Sequence, residues 1–185
     1  MNFMKVFDNF GKKYEILDTE MRTVDGSSVY RIRALKDIEL HNVKKGDLGV
    51  FIARESNLSH DNNCWVSSSA CIIGLSEVSD NALVTDCAIV NGQCKISGNA
   101  LVKDSAKIRG MATITDNARI GGCSIICDNA TIQDNASIVN SYVGDIATID
   151  GNIELKSIEI LNGSAELKGN IKIGKYERYI MGFGG

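Results

Sequence analysis

The chain has 185 residues, of which 44% are apolar but only 6% aromatic, so its core must be built largely from small aliphatic side chains. The formal charge of −3 argues against a surface for nucleic-acid phosphates, and no run of residues is apolar for long enough to span a membrane. The first ten residues carry charges and lack the apolar stretch of a secretory signal, so we expect a cytoplasmic protein.

Residues 1–63 lack the repeat that fills the rest of the chain, and we predict that they form an N-terminal β cap. Their apolar stretches predict four short strands, which are Phe3–Phe7, Tyr14–Leu17, Val29–Leu35 and Leu48–Ala53. The Asp25-Gly26 pair predicts a hairpin turn. A solenoid exposes an apolar end and unpaired strand edges at its first coil, so we expect this segment to cover them. An independent binding domain is the alternative.

His60 has no catalytic partner at a recognisable spacing, and we expect it to be structural or solvent-exposed.

A repeat begins where the cap ends. An asparagine returns every 17 or 18 residues from Asn63 to Asn170, and three six-residue units fill each interval. The third position of every unit is aliphatic: Val66, Ile72, Val78, Val84, Val90, Ile96, Val102, Ile108, Ile114, Ile120, Ile126, Ile132, Ile138, Val143, Ile149, Leu155, Leu161, Leu167 and Ile173. The first position is small, most often Ala. Because side chains alternate along a strand, both positions must point inwards. Residues 64–176 are therefore predicted to form an all-β, single-stranded triangular β-solenoid of about six coils of 18 residues. Residues 177–185 are predicted to be a tail that closes the last coil.

The fifth and sixth positions of each unit are predicted to form the corners. They are rich in Gly, Asn and Asp, which tolerate positive φ in a chain that has no proline. The asparagines of one edge are expected to hydrogen-bond from coil to coil, at a spacing of about 4.8 Å. One residue is missing between Ala136 and Ser141, which should tighten that corner. Glu159 falls at an inward position, so we expect a local bulge that turns it outwards.

The outward positions differ between the three sides. On the first side we expect the N-terminal segment to cover Trp65 and Leu83, and the third side is polar and solvated. The second side carries an apolar stripe that Lys107 and Arg109 interrupt: Cys71, Ile73, Ile89, Ile125, Cys127, Tyr142 and Ile160. Such a stripe on an exposed sheet predicts a protein interface, for which the candidate residues are Ile73, Ile89, Ile125, Tyr142 and Ile160. The expected partner is a second or third copy of the chain, or another protein, and scattered surface hydrophobes are the alternative.

No cofactor or metal site is predicted. The six cysteines form no CxxC pair, and the chain has only two histidines. Cys87 and Cys123 stand two coils apart in one column, about 9.6 Å, which is too far for a disulfide. We expect all six cysteines to be reduced.

Several runs resemble known families. Asp116–Ile120 and Gly98–Val102 are similar to hexapeptide-repeat proteins with a left-handed β-helix. Gly46–Gly49, Asn57–Ser59 and Asn62–Val66 resemble the YdcK-like branch of bacterial and phage proteins, which are often labelled transferases by analogy of fold. The resemblance covers nearly the whole chain. It implies the left-handed coil, and its phage members suggest a virus-encoded protein that inhibits a host defence complex.

The resemblance also raises the question of catalysis. Hexapeptide acyltransferases use a histidine base and often a loop that projects from the helix, and γ-type carbonic anhydrases need three histidine ligands. This chain has no histidine after His60 and no insertion between coils. We therefore favour a non-catalytic β-solenoid that binds protein, including itself. A hexapeptide-type acyltransferase and a structural or filament-forming element are the alternatives.

Overall fold

The computed structural model describes residues 11–158 and 162–174. Three strands precede the repeat: β1 (Tyr14–Val24), β2 (Ser27–Ala34) and β3 (Leu48–Ile52). The strands of the repeat are β4 (Trp65–Val66), β5 (Cys71–Gly74), β6 (Glu77–Val78), β7 (Leu83–Val84), β8 (Ile89–Gly92), β9 (Lys95–Ile96), β10 (Leu101–Val102), β11 (Lys107–Gly110), β12 (Thr113–Ile114), β13 (Arg119–Gly121), β14 (Ile125–Ile126), β15 (Thr131–Ile132), β16 (Ser137–Val139), β17 (Tyr142–Val143), β18 (Thr148–Lys156) and β19 (Glu166–Ile173). Two short 3-10 helices, Glu39–His41 and Glu55–Asn57, flank β3. No helix in the described residues is long and apolar enough to cross a membrane.

The repeat winds as a β-solenoid with three sides, as predicted. The first side stacks β4, β7, β10, β13, β16 and the end of β18 in parallel. The second side stacks β5, β8, β11, β14 and β17, and the third stacks β6, β9, β12, β15 and the start of β18. Paired residues lie 18 apart, as in Leu83↔Leu101↔Arg119, or 17 apart where the pair spans the missing residue, as in Ile125↔Tyr142. This arrangement is consistent with a hexapeptide-repeat, left-handed β-helix.

The core is the column of inward side chains that the repeat predicts. Every third-position Val, Ile or Leu in the described residues is buried, from Val66 at 0% exposure to Ile173 at 7%. Leu161 lies outside the described residues. The first-position alanines, such as Ala82 and Ala118, are fully buried as well. Small residues beside the corners and branched residues in the middle of each side therefore fill a narrow interior.

The corners depend on the fifth position rather than on the asparagine that follows it. Asp80 and Asp116 have φ of 55° and 56°, whereas Asn81 and Asn117 are not in the left-handed region. The sixth-position asparagines of this edge therefore do not use the positive φ that asparagine tolerates, since the Asp or Gly before them takes that conformation. The carboxylates of most such aspartates also accept a backbone N–H from the next coil, as Asp80 Oδ2 does from Gly98 at 3.0 Å.

The predicted asparagine ladder is confirmed. Each Nδ2 donates to the Oδ1 of the next asparagine along Asn63, Asn81, Asn99, Asn117, Asn135, Asn152 and Asn170, at 2.7–3.1 Å. The corner that lacks a residue is also tightened as expected. Asn140 occupies it with φ of 50°, and its side-chain Oδ1 accepts the Cys123 N–H at 2.9 Å. At the neighbouring corners a backbone carbonyl accepts this bond, as Gly122 does from Ser105. Glu159 lies outside the described residues.

The cap continues the sheet of the second side. β1 and β2 form the predicted antiparallel hairpin, β2 pairs with β3, and β3 runs parallel to β5. The sheet order is thus β1-β2-β3-β5-β8-β11-β14-β17. The first coil therefore gains a strand partner at its otherwise unpaired edge on this side. The predicted strand Phe3–Phe7 and the tail 177–185 lie outside the described residues.

Trp65 is covered by the N-terminal segment, as expected. It is 1% exposed, and its ring contacts Tyr14 edge-on at a centroid distance of 6.5 Å. Gly49 leaves room for it, because a Cβ there would lie 2.8 Å from Trp65 Cζ2. Leu83, one coil further on, is half-buried against the main core.

Candidate protein-binding surface

The cap divides the apolar stripe of the second side into a covered part and an open part. Ile73 is only 1% exposed, so the expectation that it contributes to an open face is wrong. With Cys71 it packs beneath Val24 and Val29 of the hairpin and Phe51 of β3. The repeat alone could not reveal this, because the covering residues come from the cap, which has a different periodicity.

The remaining predicted residues lie in different surroundings. Ile89 is half-buried at the margin of the cap cluster. Ile125 and Tyr142 are half-buried on neighbouring strands, where they are direct partners. Ile160 lies outside the described residues. The structure thus brings Ile125 and Tyr142 together and assigns Ile73 to the interior.

The open part of the second side is a compact group that we call the contact patch, formed by Lys107, Arg109, Ile125, Cys127 and Tyr142. Lys107, Ile125 and Tyr142 occupy one column on β11, β14 and β17. Arg109 and Cys127 lie two residues beyond the paired Lys107 and Ile125, so the same register places them next to each other in the neighbouring column, where Cys127 directly follows β14. The patch therefore presents two cations beside an apolar and aromatic surface.

The ring of Tyr142 is held in place. Its hydroxyl lies 3.0 Å from Cys127 Sγ, which in turn is 3.1 Å from Asp128 Oδ2. A Cβ on Gly144 would lie 2.9 Å from Tyr142 Cε1, so the ring rests against that glycine. The hydrogen bond with Cys127 raises the pKa of Tyr142 to about 12, and burial raises the pKa of the Cys127 thiol. Both groups are protonated at neutral pH, which keeps this part of the patch uncharged.

The two cations of the patch, Lys107 and Arg109, form no ion pair with any acidic residue in the part of the chain that the structure describes. Both are exposed, and within residues 11–158 and 162–174 neither has a carboxylate oxygen within 4 Å. An unpaired cation beside apolar side chains can form an ion pair or a cation–π contact with an approaching molecule.

An adjoining corner adds apolar surface that sequence reasoning missed. Leu75, Met111 and Ile146 are 54%, 53% and 60% exposed, and all stand at the sixth position of the corner that follows the second side. We call these three residues the apolar edge. They occur on every second coil, with Gln93 and Asn129 between them. Listing the corner residues by column would have revealed them.

A second polar cluster joins the cap to the first coil. Lys13 is fully buried, with Nζ 3.0 Å from Cys64 Sγ and 3.2 Å from the carbonyl oxygen of Asp61. Burial lowers the pKa of Lys13 and raises that of Cys64, so both changes favour the neutral amine and thiol. The cluster anchors the start of β1 to the solenoid.

His60 belongs to this anchor. Its Nδ1 accepts the backbone N–H of Lys13 at 3.2 Å, so its Nε2 carries the proton and donates to Glu55 at 2.9 Å. Tyr14 stacks on the ring at a centroid distance of 4.4 Å. With both nitrogens engaged, His60 has no free lone pair to act as a base in this arrangement.

No protein-family model matches the chain, and no curated protein matches it either.

The six cysteines are free thiols, and Cys87 and Cys123 are the exposed ones.

Proposed function

We propose that the chain is a protein-interaction module, and that it associates with copies of itself through the contact patch and the apolar edge. One observation carries the proposal: Ile125 and Tyr142 are direct partners on the part of the second side that the cap leaves open, while Cys71 and Ile73 of the same stripe are buried beneath the cap. Exposed apolar side chains that cluster on one face of a protein are a frequent mark of a binding site. A rigid solenoid side also loses little conformational entropy when it binds.

The test is the solution mass of the chain over a range of concentrations. We expect the mass of the unmodified chain to rise with concentration in multi-angle light scattering. Ile125→Lys should remain monomeric, because it places a charge in the centre of the surface. Thr131→Lys is the matched control, since Thr131 occupies the same position of the same coil on the third side. An unmodified chain that is monomeric throughout would refute self-association.

The YdcK-like resemblance supports two finer proposals. The first is that the chain binds a host defence complex, and this proposal rests on that resemblance alone. An acyltransferase would need a base other than His60, whose ring nitrogens are both engaged, and acetyl transfer from acetyl-CoA to a panel of acceptors is the assay that would favour it.

A further inference from the structure

We infer that two copies dock second side to second side about a two-fold axis that runs along β14, so that their coils stack in opposite directions. The inference rests on the proposed self-association and specifies its geometry. A two-fold axis in the plane between two like faces makes the contact isologous, with each residue of one copy meeting a defined residue of the other. The choice of axis then decides which residues meet.

An axis along β14 leaves each residue at its place along the strand and exchanges the coils on either side. Ile125 and Cys127 then face their own counterparts. The coil of Lys107 and Arg109 faces the coil of Tyr142, because β11 and β17 are the two neighbours of β14. Each copy therefore supplies the cations to one half of the interface and the aromatic ring to the other.

The charges favour this axis. Arg109 comes to lie opposite Gly144, over which the Tyr142 ring is held, and next to Asp145 at the corner. A guanidinium above an aromatic ring and near a carboxylate is stabilised by both. Lys107 and Arg109 thus gain partners that the described residues of their own copy do not provide.

Two other placements of the axis are unfavourable. An axis along β11 would bring Lys107 and Arg109 onto their own counterparts. An axis parallel to the solenoid would keep each coil level with itself and place Lys107 opposite Arg109. Both arrangements oppose like charges at an interface, which costs free energy.

The apolar edge follows the same symmetry. Met111 stands one coil to one side of β14 and Ile146 one coil to the other, both at the sixth position of the corner. Rotation about β14 therefore places Met111 of one copy near Ile146 of the other, at the rim of the contact. Because the axis is two-fold, each dimer would contain two such pairs of Met111 and Ile146.

The area of the interface indicates how stable the dimer is. Three coils of about 4.8 Å and about 20 Å of strand give roughly 300 Å² per copy, or roughly 600 Å² in all. Without the rim, this area is well below the roughly 1,200 Å² at the lower end of stable interfaces. We therefore expect a weak dimer that forms and dissociates with concentration.

The pairing is tested by charge reversal in analytical ultracentrifugation. Arg109→Glu should weaken dimerisation about tenfold or more, because it opposes the Asp145 carboxylate of the other copy. Adding Asp145→Asn should recover part of the loss. Asparagine tolerates the φ of 55° at this corner and can still accept the Gly163 N–H. Arg119→Glu, an exposed arginine on the first side, is the matched control and should have little effect.

The axis is tested independently by a thiol cross-link. In a Cys87→Ser/Cys123→Ser background, Cys127 is the remaining thiol that is not buried. A short bis-maleimide should then join two chains at Cys127, and Cys127→Ser should abolish the link. A dimer by mass that gives no Cys127 link, or that Arg109→Glu leaves unchanged, would overturn this axis but not self-association. A chain that is monomeric throughout would refute both.

Discussion

The burial of the third positions leads to a prediction that depends on the whole solenoid. Ile114 is fully buried and stacks between Ile96 and Ile132 of the neighbouring coils. Ile114→Ala should lower the free energy of unfolding by about 2–5 kcal/mol, from lost burial and from the cavity left behind. The upper half of this range is expected, because the coils can relax little. The backbone hydrogen bonds on either side of the strand are 2.9–3.0 Å long and fix the coil spacing.

The assay is urea unfolding followed by circular dichroism, with Thr113→Ala as the control. Thr113 is the neighbouring residue and points outwards, so its replacement should change the free energy by no more than about 0.5 kcal/mol. In a chain of this size each kcal/mol lowers the melting temperature by about 2–4 °C. If Ile114→Ala costs no more than Thr113→Ala, the assignment of inward and outward positions is refuted.

Three further predictions concern the corners and the cap. Asn117→Ala interrupts the asparagine ladder at two hydrogen bonds and should cost about 1–2 kcal/mol in urea unfolding; an unchanged midpoint would show that the ladder contributes nothing. Gly98→Ala should destabilise by about 1–3 kcal/mol, since φ is +64° there and its Cβ would lie 2.6 Å from the Asp116 backbone nitrogen; a gain in thermal stability would contradict this. Lys13 has its pKa lowered by burial in the folded chain, so the unfolded chain binds its proton more readily. The free energy of unfolding of the unmodified chain, measured relative to that of Lys13→Met, should therefore increase as the pH rises towards the ordinary lysine pKa of 10.5. If the free energies of the two chains change with pH in parallel, this effect is excluded.

The sequence by itself determined the solenoid. The third position of each six-residue unit is aliphatic, the first is mostly small, and the fifth and sixth positions are rich in turn-forming residues. A three-sided coil buries the aliphatic and small residues together and places the turn-forming residues at the corners. These constraints are local and repeat from coil to coil, so Val84 predicts the place of Val102 and of every later residue in the column. The same logic identified the asparagine ladder, because its members recur at one corner.

The tertiary structure decided which part of the second side stays open. Ile73 and Ile125 both occupy outward positions on the second side, yet of the two the hairpin of β1 and β2 covers only Ile73. The cap does not share the six-residue period, so where it folds depends on packing between segments that are distant in the chain. The contact patch exists where that packing ends, which is why the repeat could indicate a candidate surface but not its boundary.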